Sequence, residues 1–130
     1  YHLQTLTLTT VTLLAAALAG IHAAAVITVN NYRDLDGDAK NGKNTLAVRL
    51  GRPAIKRLYT AQMLAPYALL PLLASLGWPA ALPLLSLPLA LKLIQRFHRE
   101  APGPVFNAIL AATAGLQLAF AVLLSLAFTI

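Results

Sequence analysis

From Leu3 to Val29 the chain carries no charged residue. Wound as a helix rising 1.5 Å per residue, that run is roughly 40 Å long, more than the ~30 Å hydrocarbon core of a bilayer. The remainder is built in the same way, from Leu-, Ala- and Val-rich stretches broken by short polar segments. Soluble domains average about 25% charged residues. With 11% charged and 58% hydrophobic residues, this chain cannot cover a globular surface with polar groups. It reads as an integral membrane protein of the all-α class. The net charge of +6 does not signal nucleic acid, because the Lys and Arg residues fall only within 33–57 and 92–99, in two clusters and not along one face. The absence of cysteine excludes disulfides and thiolate metal sites. No charged n-region precedes the first apolar run, which is therefore no signal peptide, and a chain opening on Tyr1 is expected to be a fragment.

Four spans are expected, at about 3–29, 58–77, 80–95 and 105–130. In the first, threonines at 5, 7, 9, 10 and 12 give a semi-polar face that can bond back to the i−4 carbonyl. His22 reads as a packing side chain bonded to a neighbouring helix. The second span contains Pro66 and Pro71, and the third Pro83 and Pro88, which transmembrane helices accept where neighbours satisfy the freed carbonyls. Gly77-Trp78-Pro79 is a tight turn with an interfacial aromatic, and Ala101-Pro102-Gly103-Pro104 a second break. Two spans separate the basic clusters, so both lie on one side, which the positive-inside rule makes cytoplasmic.

The polar segment 30–57 holds all three aspartates of the chain, Asp34, Asp36 and Asp38. No helix breaker stands between Val29 and Gly37. If the helix survives that glycine, four-residue spacing puts Asn30, Asp34 and Asp38 on one stripe. Lys40-Asn41-Gly42-Lys43 is a turn with Gly42 in the left-handed region, residues 44–50 are a short strand or a helical turn, and Pro53 stands at a helix start. A solvated loop of mutually paired charges does not explain three aspartates within five residues, since exposed pairs contribute little. An EF-hand fails at Ala39, where glycine is needed, and at Thr45, where a bidentate glutamate belongs. Carboxylates beside Arg33 and Lys43 suit a hard cation sharing its coordination with phosphate oxygens, with the basic groups on the free sides of the anion. The loop 39–53 is expected to be a mobile cap with little to bury before an anion arrives.

Asn30-Asn31-Tyr32-Arg33-Asp34, then Asp38, then the run from Gly42-Lys43 through Thr45-Leu46 to Arg49-Leu50-Gly51, resembles the second Asp-rich motif of the UbiA-type intramembrane prenyltransferases. Within them it is most similar to the 1,4-dihydroxy-2-naphthoate polyprenyltransferases of menaquinone biosynthesis. The resemblance implies that this chain is the C-terminal part of a nine-helix bundle in the cytoplasmic membrane. It implies Mg²⁺ on Asp34 and Asp38, with Asn30 and Asn31 in or beside that shell, and Arg33 and Lys43 toward the diphosphate of a polyprenyl diphosphate. Asp36 falls outside the motif and is expected to be solvated, and Arg49 to anchor the loop. The implied partners are the prenyl diphosphate, a dihydroxynaphthoate acceptor, the bilayer, and an N-terminal half carrying the first Asp-rich motif. That first motif, NxxxDxxxD, is missing here, so the chain alone is expected to be inactive. The competing readings are another UbiA-type aromatic prenyltransferase, and a cation-coupled transport module. The module would need ionisable groups mid-membrane, where His22 is the one candidate.

Overall fold

A computed structural model describes residues 10–76 and 81–129, and every regular element among them is helical. Thr5, Thr7, Thr9 and the Gly77-Trp78-Pro79 turn lie outside the described residues. Helix α1 spans Thr10–Arg33, α2 Leu35–Lys40, α3 Leu46–Leu50, α4 Arg52–Ser75, α5 Leu87–Arg99 and α6 Val105–Ala127. A 3-10 helix, Leu82–Ser86, runs into α5.

Two of these helices, α1 and α6, are long and apolar enough to cross a bilayer. The helices that hold the other two expected spans begin or end outside those outlines. Helix α4 begins six residues before position 58, because Gly51 and Pro53 start it, and its first turns carry Arg52, Lys56 and Arg57. The third stretch is not one α-helix over 80–95. Pro83 and Pro88 withhold two backbone donors, and the chain answers with a tight 3-10 segment before the α-helix proper. That helix then continues to Arg99, since its basic last turn complements the dipole at its C-terminus.

Helix α1 packs against α4 and α6, and α5 against the same two, so the four long elements close into a ring. Each contributes one aromatic ring to a layer at the end where α1 meets the Asp-rich segment: Tyr32, Tyr59, Phe97 and Phe106, all fully buried. Tyr59 stacks on Phe97 with centroids 4.1 Å apart, Phe106 meets Phe97 edge-on at 5.3 Å, and Tyr32 touches both phenylalanines. Such pairs add about 0.5–1.5 kcal/mol each beyond area burial. A second layer, further along the bundle, joins His22, Tyr67 and Phe120. His22 Nε2–H donates to the Met63 carbonyl at 3.3 Å, the packing role expected of it. Buried hydroxyls are satisfied in pairs, Tyr59 with Thr113 at 2.9 Å and Tyr67 with Ser86 at 2.8 Å. Away from this core, α6 presents Leu118, Val122 and Leu126 outward at four-residue intervals, an apolar stripe suited to lipid or further helices.

Gly37 does not end the helix. Asp34 departs from helical geometry, with φ −92° and ψ 5°, yet its N–H still reaches Asn30 O (3.1 Å) and Asp38 N–H reaches Asp34 O (2.8 Å). After Lys40 the chain reverses in a Schellman turn: Gly42 takes φ 73°, its N–H bonds Ala39 O, and Lys43 N–H bonds Asp38 O. Residues 46–50 are helical, capped by Thr45 Oγ1 accepting from Val48 N at 3.3 Å. Within the expected cap Ala47 is fully buried, while Leu46 and Leu50 on either side of it are exposed. Gly51, at φ 83° and ψ 165°, lies in a region open in practice to glycine alone and turns the chain into α4.

Candidate functional site

The hub of the Asp-rich end is Arg33. Its Nε donates to Asp34 Oδ1 at 2.8 Å and its Nη2 to Asp34 Oδ2 at 3.0 Å, a two-pronged grip. Nη2 also reaches Asn30 Oδ1 at 2.7 Å, and Nη1 reaches Asn107 Oδ1 at 3.0 Å. The helical period explains the first partners: Asn30 lies one turn before Arg33 and Asp34 on the stripe foreseen in the sequence. Asn107 comes from the first turn of α6, held in place because Phe106 beside it is locked into the aromatic layer. The Arg33 hydrogen bonds hold the Asp34 carboxyl below its ordinary pKa against partial burial, with a smaller attraction from Lys43. Asp34 is therefore an anion at any physiological pH.

Asp38 follows one turn later, with its side chain 15% exposed. The Schellman turn folds Lys43 back toward it, with Nζ 3.9 Å from Oδ1 and the lysine itself largely in solvent. Carboxylates and cations thus alternate along one edge. Asn31, one position round the helix, is half-buried and outside the Arg33 network.

Asp36 has the solvated side chain expected of it. It is exposed, but Arg52 Nη2 bonds its Oδ2 at 3.0 Å. Arg52 also donates to the Tyr32 carbonyl at 3.1 Å and lies 4.8 Å over the Tyr32 ring. Arg52, not Arg49, ties the loop to the end of α1; Arg49 is exposed at the end of α3. Neither Arg52 nor Asn107 was singled out by sequence reasoning. The placement of Arg52 just after a motif-like glycine was the one signal that could have raised it.

Among the described residues, no group of three or more His, Cys, Asp or Glu side chains converges as a ready metal cage. The donor set still fits Mg²⁺, which keeps several waters and is typically held by one or two carboxylates plus substrate phosphates. Arg33 takes one lone pair from each Asp34 oxygen and leaves the others open.

Residues 1–105 match the UbiA prenyltransferase family. The chain is 38% identical over 106 residues to 1,4-dihydroxy-2-naphthoate octaprenyltransferase of Escherichia coli strain K12, an overlap covering 77% of this chain and 33% of that protein. With the protein of the same name from Mycobacterium leprae strain TN it shares 31% over 128 residues, 98% of this chain and 43% of that one. Human UbiA prenyltransferase domain-containing protein 1 is 32% identical over 119 residues, 91% of this chain and 34% of its own length. The chain therefore spans between 33% and 43% of the length of these relatives. No solved structure matches it. The family match takes in the whole Asp-rich segment with Asn30, Arg33, Asp34 and Asp38, and the chain belongs to the UbiA prenyltransferase family.

Proposed function

We propose that this chain is the C-terminal part of a magnesium-dependent prenyltransferase of the cytoplasmic membrane. In this reading it crosses the bilayer four times, α1, α4, the 3-10 segment with α5, and α6 each making one pass, with the Asp-rich end on the cytoplasmic side. The complete enzyme would pass a polyprenyl group from its diphosphate to 1,4-dihydroxy-2-naphthoate. The C–O bond to the allylic carbon breaks and diphosphate leaves with the electron pair; the ring bonds the allylic carbon with a π pair, and the carboxylate leaves as CO2, its C–C bond pair returning to the ring. The observation that carries the proposal is the alternation of Asn30, Arg33, Asp34, Asp38 and Lys43 along one edge at the end of an apolar helix. Family membership favours this over the transport module, and the names of the bacterial relatives favour the naphthoate acceptor.

Bound Mg²⁺ would neutralise charge gathering on the leaving diphosphate. Asp34, Asp38 and Asn30 are the residues that would hold it. Arg33, anchored on three side chains, presents a fixed guanidinium to the anion, and Lys43 closes from the exposed side of Asp38. Helix α3, whose Ala47 is buried, would help keep water from an allylic cation formed at this edge. An N-terminal partner carrying the first Asp-rich motif completes the site.

The test uses the complete protein. Asp34→Ala and Asp38→Ala should each lower the prenyl-transfer rate by at least about 10²-fold, the scale for removing one charge-stabilising group, while Asp36→Ala stays mild. Equal sensitivity at all three positions would refute the assignment of Asp34 and Asp38 to one face.

A further inference from the structure

A second concentration of positive charge lies where the start of α4 meets the end of α5. Tyr32 and Asp36 stand two residues from Asp34, about 200° round the helix, so the surface they border faces away from the Asp34–Asp38 edge. There a cleft of about 410 Å³ opens between the start of α4 and the end of α5, lined among others by Tyr32, Arg52, Lys56, Arg99 and Glu100. Beside it lies a second, mostly apolar cleft of about 560 Å³, bordered by Arg57, Ala61 and Ile94. His98 lines both.

The charges here are unbalanced. The chain has four acidic residues, and three of them, Asp34, Asp36 and Asp38, are taken by Arg33, Arg52 and Lys43. Glu100 alone remains to face Lys56, Arg57 and Arg99. Lys56 donates to the His98 carbonyl at 3.2 Å, which fixes its ammonium at the mouth and leaves two donors open. Thr60 Oγ1 and His98 Nε2 bond at 2.7 Å and tie α4 to α5 at the junction of the two clefts. A cationic mouth continuing into an apolar groove between helices matches a molecule with an anionic head and a hydrocarbon tail.

We propose that this paired cleft binds one anionic phospholipid, its phosphate at Lys56, Arg57 and Arg99 and an acyl chain along Ala61 and Ile94. The inference rests on the bilayer placement proposed above and is independent of the prenyl-transfer chemistry. Basic residues gathered on the cytoplasmic side and basic pockets between membrane helices are the usual devices for holding such headgroups.

Native mass spectrometry of the complete protein in neutral detergent tests it, with phosphatidylglycerol and phosphatidylcholine of the same acyl chains added in parallel arms. One phosphatidylglycerol should be retained in preference to phosphatidylcholine. The triple variant Lys56→Gln/Arg57→Gln/Arg99→Gln should weaken that retention by about 100-fold, compounding about fivefold per charge, with phosphatidylcholine binding unchanged. Arg57→Gln alone, at an exposed position, serves if the triple variant does not fold, and should show about fivefold. Equal retention of the two lipids, retention untouched by the substitutions, or displacement of the lipid by millimolar inorganic phosphate would each overturn the proposal. So would protection of a cysteine at position 57 by the N-terminal part of the protein, which would mean that protein and not lipid covers the clefts.

Discussion

Asn107→Ala is the substitution that most directly probes the Arg33 hub. Three of the four hydrogen bonds of Arg33 go to Asp34 and Asn30, its own neighbours in sequence, and only the one to Asn107 crosses to another helix. A hydrogen bond to a charged group contributes about 1.5–3 kcal/mol when desolvated. Asn107 is exposed and the Arg33 side chain is 27% exposed, so screening cuts this to about 1 kcal/mol, or roughly a fivefold effect. In the complete protein, Asn107→Ala should raise KM for the prenyl diphosphate about fivefold, with kcat changed less, because a loosened guanidinium binds the anion less well before any bond breaks. Arg33→Ala should cost about 10²-fold in kcat/KM. The double variant should be no worse than Arg33→Ala, since Asn107 acts through the arginine. Steady-state prenyl transfer with the diphosphate varied at saturating acceptor gives all three numbers. If the two losses multiply in the double variant, Asn107 touches substrate on its own account and the hub account is refuted.

Gly51→Ala should destabilise by about 1–3 kcal/mol, read as a lowered Tm in detergent, because φ 83° with ψ 165° is strained for any residue with a Cβ; an unchanged Tm would place the turn elsewhere. The Asp34–Arg33 pairing gives a pH dependence with a definite sign. Asp34 has its pKa depressed in the folded state, so the stability it adds is fully present above the ordinary carboxylate value of about 4 and is lost as pH falls below it. Hydrogen-exchange protection at 30–38, taken relative to the intrinsic exchange rate at each pH, should therefore fall only below about pH 4, and a fall between pH 5 and 7 would contradict this. Cysteines at Lys43 and Arg99 should label from the cytoplasmic side, and one at Trp78 from the other, in intact cells; labelling of 43 and 99 from opposite faces would break the four-pass topology.

Features fixed by local backbone rules were legible in the sequence. The Asn30–Asp34–Asp38 stripe follows from the helical period, the left-handed Gly42 from turn chemistry, and the start of α4 from Pro53. What depends on distant partners was not legible. The ion pair of Asp36 with Arg52 spans 16 residues and the hydrogen bond from Arg33 to Asn107 spans 74, and neither separation has a period to betray it. Asn107 looked like a polar interruption in an apolar run, and its meaning emerges only when α6 is laid beside α1. Helix α5 outruns the expected third span for a different reason. Hydropathy ends the span near the first charges, whereas the backbone runs on through Arg96 and Arg99 because charged residues are good helix formers at a C-terminus.

The ring of four long elements also sets an order of events while the protein is made. Helix α1 leaves the ribosome well before α6, and at about 5–20 residues per second the 74 residues between Arg33 and Asn107 take roughly 4–15 s to appear. During that interval Tyr32 lacks the Phe106 ring that flanks it, and the guanidinium of Arg33 has only its own helix to hold it. The Asp34–Asp38 edge thus reaches the arrangement described above only once the closing helix is in place, and a nascent chain stalled before residue 105 would hold Arg33 by its local bonds to Asn30 and Asp34 alone.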